Sequence, residues 1–209
     1  GFNTPGYFRH SSFTQAIYHD NARHEFQCYK DLIKDLAEVV DEDISLKVSK
    51  TRNQSAEQFI VIHPGCGSPK FDIGAQARQW PKEKYAELIN ILNEKCSEKI
   101  LLTAENREAE LVKEIRSRSG NKVEVFISSD LESTAVVLSK AKLIISSDTG
   151  IAHLAAALKI PQIVLFGPSD PQRWKPLNEK CIHITRQPPP IPCQVFGIDK
   201  PKCKEFECI

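Results

Sequence analysis

The chain has no methionine, no excess of either charge, no apolar run of membrane-spanning length and no C-x-x-C pair. Each absence removes a class of protein. Without Met, and with Gly1 at its start, the sequence reads as a processed chain or a fragment. Lys and Arg number 28 against 27 Asp and Glu, and they are spread along the chain, so no basic face argues for nucleic acid. The best apolar stretch is interrupted by Lys159 and Pro161, short of the ~20 residues a spanning helix needs. Nothing at the N-terminus resembles a signal peptide. No G-x-G-x-x-G follows the first expected strand, which leaves a dinucleotide site unsupported. The 209 residues are 41% hydrophobic and 26% charged, the balance of a soluble globular protein that buries a real core.

From residue 58 the pattern alternates. Short apolar runs at 59–64, 99–103, 123–127, 143–147 and 162–167 read as strands, and amphipathic segments at 81–96, 107–119, 130–141 and 149–158 as helices. Alternation at this pitch predicts right-handed βαβ units: an α/β fold with a Rossmann-like parallel sheet of about five strands over 58–180. Residues 28–40 place Leu32, Leu36, Val39 and Val40 on one face of an expected helix. Polar residues 41–57 read as a linker, and 181–209 as a Pro/Cys-rich tail.

Four constellations fall at the carboxyl ends of expected strands. Asp148-Thr149-Gly150-Ile151-Ala152-His153 joins a strand to a helix; Asp148 is the expected N-cap, and Gly150 lets a phosphate approach the backbone. His153, one turn in, can reach the same anion. His63-Pro64-Gly65-Cys66-Gly67-Ser68 is a glycine-rich loop, with Arg78 before Trp80-Pro81 supplying a fixed positive charge. Ala104 to Glu108 places a carboxylate where nucleotide folds bind ribose hydroxyls. Gly167-Pro168-Ser169-Asp170-Pro171, backed by Arg173-Trp174, flanks the phosphate position. Taken singly, each reads first as a capped core helix, a plain βα loop, a solvated helix start or a turn. Together on one sheet edge they outline a nucleotide-diphosphate pocket.

The string HPGCGSP…RQWP…LLTAENREAE…SSDTGIAHLAAALKIPQIVLFGPSDPQRW resembles glycosyltransferase family 9, the heptosyltransferases. Residues 1–40, with His24-Glu25 before the connecting helix, resemble the end of that family's N-terminal domain. The resemblance implies that 1–57 is a remnant of an acceptor domain and linker, and 58–180 the donor-binding domain of a GT-B enzyme. It further implies a nucleotide-sugar donor, ADP-heptose by family default, and a lipid-linked saccharide acceptor of the lipopolysaccharide core. Asp148, Thr149, Gly150, Ile151 and His153 fall on the family's diphosphate turn, Ser68 and Arg78 beside it, and Glu108 on its ribose acid. At Glu108 the fit is looser, because Ala104 replaces the usual Gly. The implied mechanism is inverting, with no cofactor besides the donor and no metal at the diphosphate. The implied location is cytoplasmic, at the inner membrane when the acceptor is lipid-linked. The family's catalytic base lies in the first half of the N-terminal domain, so this chain alone is expected to bind donor without transferring it.

Cys28, Cys66 and Cys96 read as reduced thiols. Cys181, Cys193, Cys203 and Cys208 can supply a four-thiolate zinc or iron site, though unpaired spacing equally fits free thiols or adventitious disulfides. Two other functions remain open: a nucleotide-sugar 2-epimerase half, against which the LFGPSDP block argues, and a non-catalytic sugar-nucleotide-binding module.

Overall fold

A computed structural model describes residues 1–3, 9–20, 22–38, 44–48, 58–67, 73–120 and 123–185. Its centre is a six-stranded, all-parallel sheet ordered β5-β4-β3-β6-β7-β8. The strands are β3 (Phe59–His63), β4 (Lys99–Glu105), β5 (Glu124–Ser128), β6 (Ala141–Ser147), β7 (Gln162–Phe166) and β8 (Cys181–Thr185). The last strand lies beyond the domain boundary expected at residue 180, inside the expected Pro/Cys-rich tail. Cys181 pairs with Gln162 and Thr185 with Phe166, so 181–185 close one edge of the sheet. CIHIT has the length and β-branched content of a strand, but the polar residues before it and the prolines after it mask the signal.

Strand alternation sorts the core into two layers. Ile60 and Ile62 of β3 pack with Tyr85 and Ile89 of α3 (Lys82–Lys95) and with Val112 and Ile115 of α4 (Ala109–Arg118). Val61 faces the opposite layer, with Leu138 of α5 (Leu131–Leu138) and Ala155 of α6 (Gly150–Ala157). Pro81 precedes the first turn of α3, where its missing N–H is harmless. Truncating a fully buried side chain such as Ile62 to Ala costs about 2–5 kcal/mol in a layer this dense.

Strand order reverses at β3: β4 and β5 lie on one side of it, β6 to β8 on the other. The crevice beyond the carboxyl ends of β3 and β6 is thus a topological switch point, where open α/β sheets bind ligands.

The N-terminal segment docks onto this domain. Two-residue strands β1 (Phe2–Asn3) and β2 (Ile17–Tyr18) pair in parallel, ahead of α1 (Glu25–Ile33). The helix starts earlier and ends sooner than the periodicity of 28–40 predicts. Its buried residues are Glu25 and Cys28, whereas Leu36 is 81% exposed; Val39 and Val40 lie outside the described residues. The reason is a charge partner: Glu25 is buried against Arg173 of α7 (Pro171–Trp174). Farther along, the Leu46 N–H donates to the Ala157 carbonyl at 2.7 Å.

Candidate functional site

Residues 148–150 join β6 to α6 at the switch point. Asp148 is not the cap of α6, contrary to the sequence expectation. Thr149 occupies the N-cap position with extended backbone and makes no side-chain cap bond. The Asp148 carboxylate turns away and accepts a hydrogen bond from Ser169 Oγ. The first-turn amides of α6 are therefore left without a side-chain acceptor. A Cβ added at Gly150 would meet nothing within 4 Å, so the space in front of those amides is open.

Unpartnered donors gather at the same place. Thr149 Oγ1 and Arg78 Nε are buried without a hydrogen-bond partner, an uncommon state for protein polar atoms. Arg78 ends α2 (Ile73–Arg78) and lies close enough to Asp148 to favour its ionised form. Burial outweighs that attraction and the Ser169 hydrogen bond, and holds the Asp148 carboxyl above the usual Asp range. His153 is exposed on the next turn of α6. Desolvation by its surroundings lowers its pKa and nearby His24 adds to this, while Asp148 opposes both.

The β3 loop completes the floor. Gly67 sits at φ +101°, a conformation that side-chain-bearing residues rarely adopt. Glu108 is buried behind this loop, where its carboxylate accepts from the amides of Gly67 at 3.3 Å and Glu105 at 3.0 Å. Glu105 reciprocates by accepting from the Glu108 amide, a capping box that closes the turn after β4. Glu108 is thus first a brace for the glycine-rich loop; a carboxylate offers about four acceptor sites, so it keeps spare capacity. The half-exposed Glu105 carboxylate pairs with Arg107 at 2.8 Å on the rim. Ser68 lies outside the described residues.

A cavity of about 190 Å³ opens beside these groups, over the carboxyl ends of β3, β4 and β5. His63, Thr103, Glu105, Ser128, Ser129 and Ile151 are among its walls. The Ser128 hydroxyl is occupied by the Asp130 carbonyl at 2.8 Å, and Thr134 donates to the same carbonyl at 2.9 Å. Sequence reasoning missed this wall; the only signal was Ser128-Ser129-Asp130 between a strand and a helix. On the other flank of α6, His153 borders a second cavity of about 310 Å³ that includes His24, Phe26, Tyr29 and Trp174. A larger concavity along Lys175–Cys181 touches none of the phosphate-site candidates.

The structure therefore brings Asp148, Thr149, Gly150, Ile151, His153, Arg78 and Glu108 to one sheet edge. Cys28, Cys66, Cys96 and Cys181 form no disulfide, and Cys193, Cys203 and Cys208 lie outside the described residues. No helix among the described residues is long and apolar enough to cross a membrane.

An open parallel sheet with an uncapped helix start and a cavity at its switch point is the arrangement at which α/β folds hold anionic ligands. The profile of glycosyltransferase family 9 (heptosyltransferase) matches residues 14–202, and the chain belongs to that family. It is 38% identical to lipopolysaccharide heptosyltransferase 1 of Escherichia coli K12 over 94 residues, 45% of this chain and 29% of that protein. Its fold is similar to that of E. coli ADP-heptose lps heptosyltransferase II (TM-score 0.67, 22% identity, 88% of this chain and 61% of that one). It is similar also to that of E. coli heptosyltransferase WaaC with ADP (TM-score 0.64, 23% identity, 82% and 53%). The chain thus spans under a third of the curated relative and a little over half of the solved ones.

Proposed function

We propose that this chain is the donor-binding half of an inverting glycosyltransferase that uses a nucleotide-diphosphate sugar, ADP-heptose, and glycosylates a saccharide of the lipopolysaccharide core. One observation carries the reading: the uncapped first turn of α6 faces open space beside two buried, unpartnered donors, Thr149 Oγ1 and Arg78 Nε. A diphosphate satisfies all of them at once. The nucleoside then extends past Ile151 into the cavity over β3–β5, where Glu105 on the wall can accept from the ribose while Glu108 braces the loop behind it. Relatives with ADP and with ADP-2-deoxy-2-fluoro heptose support the choice of nucleotide.

In the transfer, the acceptor hydroxyl attacks the anomeric carbon on the face opposite the diphosphate. The new glycosidic C–O bond forms as the bond to the diphosphate breaks, and ADP leaves with the electron pair. A base supplied by an N-terminal domain, as in the family arrangement, takes the hydroxyl proton. Arg78 and the α6 amides stabilise the charge that builds on the leaving diphosphate. The reaction belongs in the cytoplasm, at the membrane face when the acceptor is lipid-linked.

A thermal-shift panel of ADP-, UDP-, GDP- and TDP-sugars with the 209-residue chain tests the reading. The expected result is a rise in melting temperature for the ADP compounds and the smallest rise for the pyrimidine ones. No shift with any nucleotide overturns it. Sugar transfer by this chain alone would overturn the placement of the base.

A further inference from the structure

We propose that Glu25 is a positioning residue for the donor site, acting through Arg173 on the turn that holds Asp148. The inference rests on the donor-site reading above. Glu25 and Arg173 are 148 residues apart in sequence, and both are buried. Arg173 donates to one carboxylate oxygen from Nε at 3.0 Å and from Nη2 at 2.8 Å. His19 Nε2 lies 3.1 Å from the other oxygen and 3.2 Å from Arg173 Nη2, and its ring stacks on Phe2.

A desolvated ion pair is a poor way to gain stability, since apolar residues of similar volume usually do as well or better. What it supplies is geometry, because both charges must meet at hydrogen-bonding distance or remain buried unpaired. Arg173 transmits that geometry to the site. It lies in α7, a single turn capped by Asp170, whose carboxylate accepts from Gln172 and whose carbonyl accepts from Arg173 and Trp174. Ser169 immediately precedes this turn and donates to Asp148. Asp148 in turn sets the entry to α6, its own amide fixed to the Leu165 carbonyl at 3.1 Å. A short run of bonded groups therefore connects α1 to the phosphate-facing end of α6. His24 adds a second tie: its Nδ1 caps α1 and its Nε2 donates to the Lys175 carbonyl at 2.9 Å, just past α7.

The test is a set of calorimetric titrations of the 209-residue chain with ADP, with melting curves recorded alongside. Glu25→Gln keeps the shape and removes the ion pair. Glu25→Leu with Arg173→Met replaces the pair by apolar volume and preserves folding if the role is only packing. We expect both to bind ADP more weakly by between about threefold and thirtyfold. Adding Ser169→Ala to either should cause no further loss, because the same linkage is already broken. A folded apolar variant that binds ADP as tightly as the parent overturns the proposal. So does a loss that adds fully to that of Ser169→Ala, and so does failure of both variants to fold, which makes the pair a folding element. If the parent itself binds no ADP, the donor-site reading fails and this inference falls with it.

Discussion

Ser169 Oγ donates a 2.6 Å hydrogen bond to the carboxylate of Asp148, 21 residues earlier in the chain, and both groups are buried. This bond removes Asp148 from the capping role its position suggests and leaves the start of α6 open to a ligand. It does not fully compensate for burial of the charge, since the Asp148 carboxyl is held above its ordinary range.

The folded state binds the Asp148 proton more readily than the unfolded chain, so this group's contribution to stability rises as pH falls through its raised pKa. At neutral pH the ionised, buried carboxylate is a cost. Asp148→Asn removes that charge and keeps an acceptor for Ser169, so the variant should melt above the parent at pH 7. The gap should close on acidification. A variant that melts below the parent at pH 7, measured by calorimetry, contradicts the burial argument.

Gly150 separates ligand binding from folding. It needs no left-handed backbone, and an added Cβ would meet open space. Gly150→Ala should therefore leave the melting temperature unchanged or slightly raised, because Ala costs less entropy than Gly in a helix. The same methyl group would stand where the proposed diphosphate approaches the amides, so ADP affinity should fall at least about tenfold, roughly 1.4 kcal/mol. Equal affinity in a titration would move the anion elsewhere.

Arg78 is the fixed positive charge of the proposed donor site. Arg78→Ala should weaken ADP binding by about tenfold or more, in line with the ~1.5–3 kcal/mol of hydrogen bonds to charged groups. Its effect on melting in the absence of ligand should be small. Raising the salt concentration should weaken ADP binding to the parent more than to the variant. A variant and parent with the same salt dependence would remove Arg78 from the site.

Much of the candidate site's geometry is legible in the sequence because strand-to-helix turns reuse local backbone patterns. Asp148-Thr149-Gly150 between an apolar strand and an Ala-rich helix already places the open amides, and Gly65-x-Gly67 places the facing loop. Long-range pairing is not legible in this way. Nothing near Asp148 shows that Ser169 will claim its carboxylate, and nothing near Glu25 shows that Arg173 will bury it. The expected face of α1 failed for that reason: periodicity counts apolar side chains, and this helix buries a charged one. β8 escaped notice because its exposed Ile182 and Ile184 belong to a sheet edge, not to a two-sided core strand.

The Gly65–Glu108 contact gives a prediction about the loop itself. A Cβ at Gly65 would overlap the Glu108 carboxyl group. Gly65→Ala should expel Glu108 from its bonds to the Gly67 and Glu105 amides and cost about 1–3 kcal/mol. In a Glu108→Ala background the space is already vacant, so the same substitution should cost much less. Additive losses in the double variant, read from denaturant melts, would show that the two residues do not meet.

The burial of His63 predicts a loss of stability in acid. The ring sits at the end of β3, with Nδ1 3.1 Å from Thr103 Oγ1, and desolvation pushes its pKa down to about 4. Glu105, the first of two weaker opposing influences, does not offset that burial. An unfolded histidine takes up its proton near pH 6.5, whereas the folded one resists until about pH 4. Between those values the unfolded chain binds more protons, so stability must fall as pH drops, by about 3 kcal/mol over the full window. His63→Asn keeps a donor and an acceptor near Thr103 and has nothing to titrate. Its melting temperature should therefore change less than the parent's between pH 6.5 and 4. Because the Asp148 effect runs the other way in acid, the clean measurement is made in the Asp148→Asn background, where an unchanged slope on adding His63→Asn would place the acid sensitivity in another group.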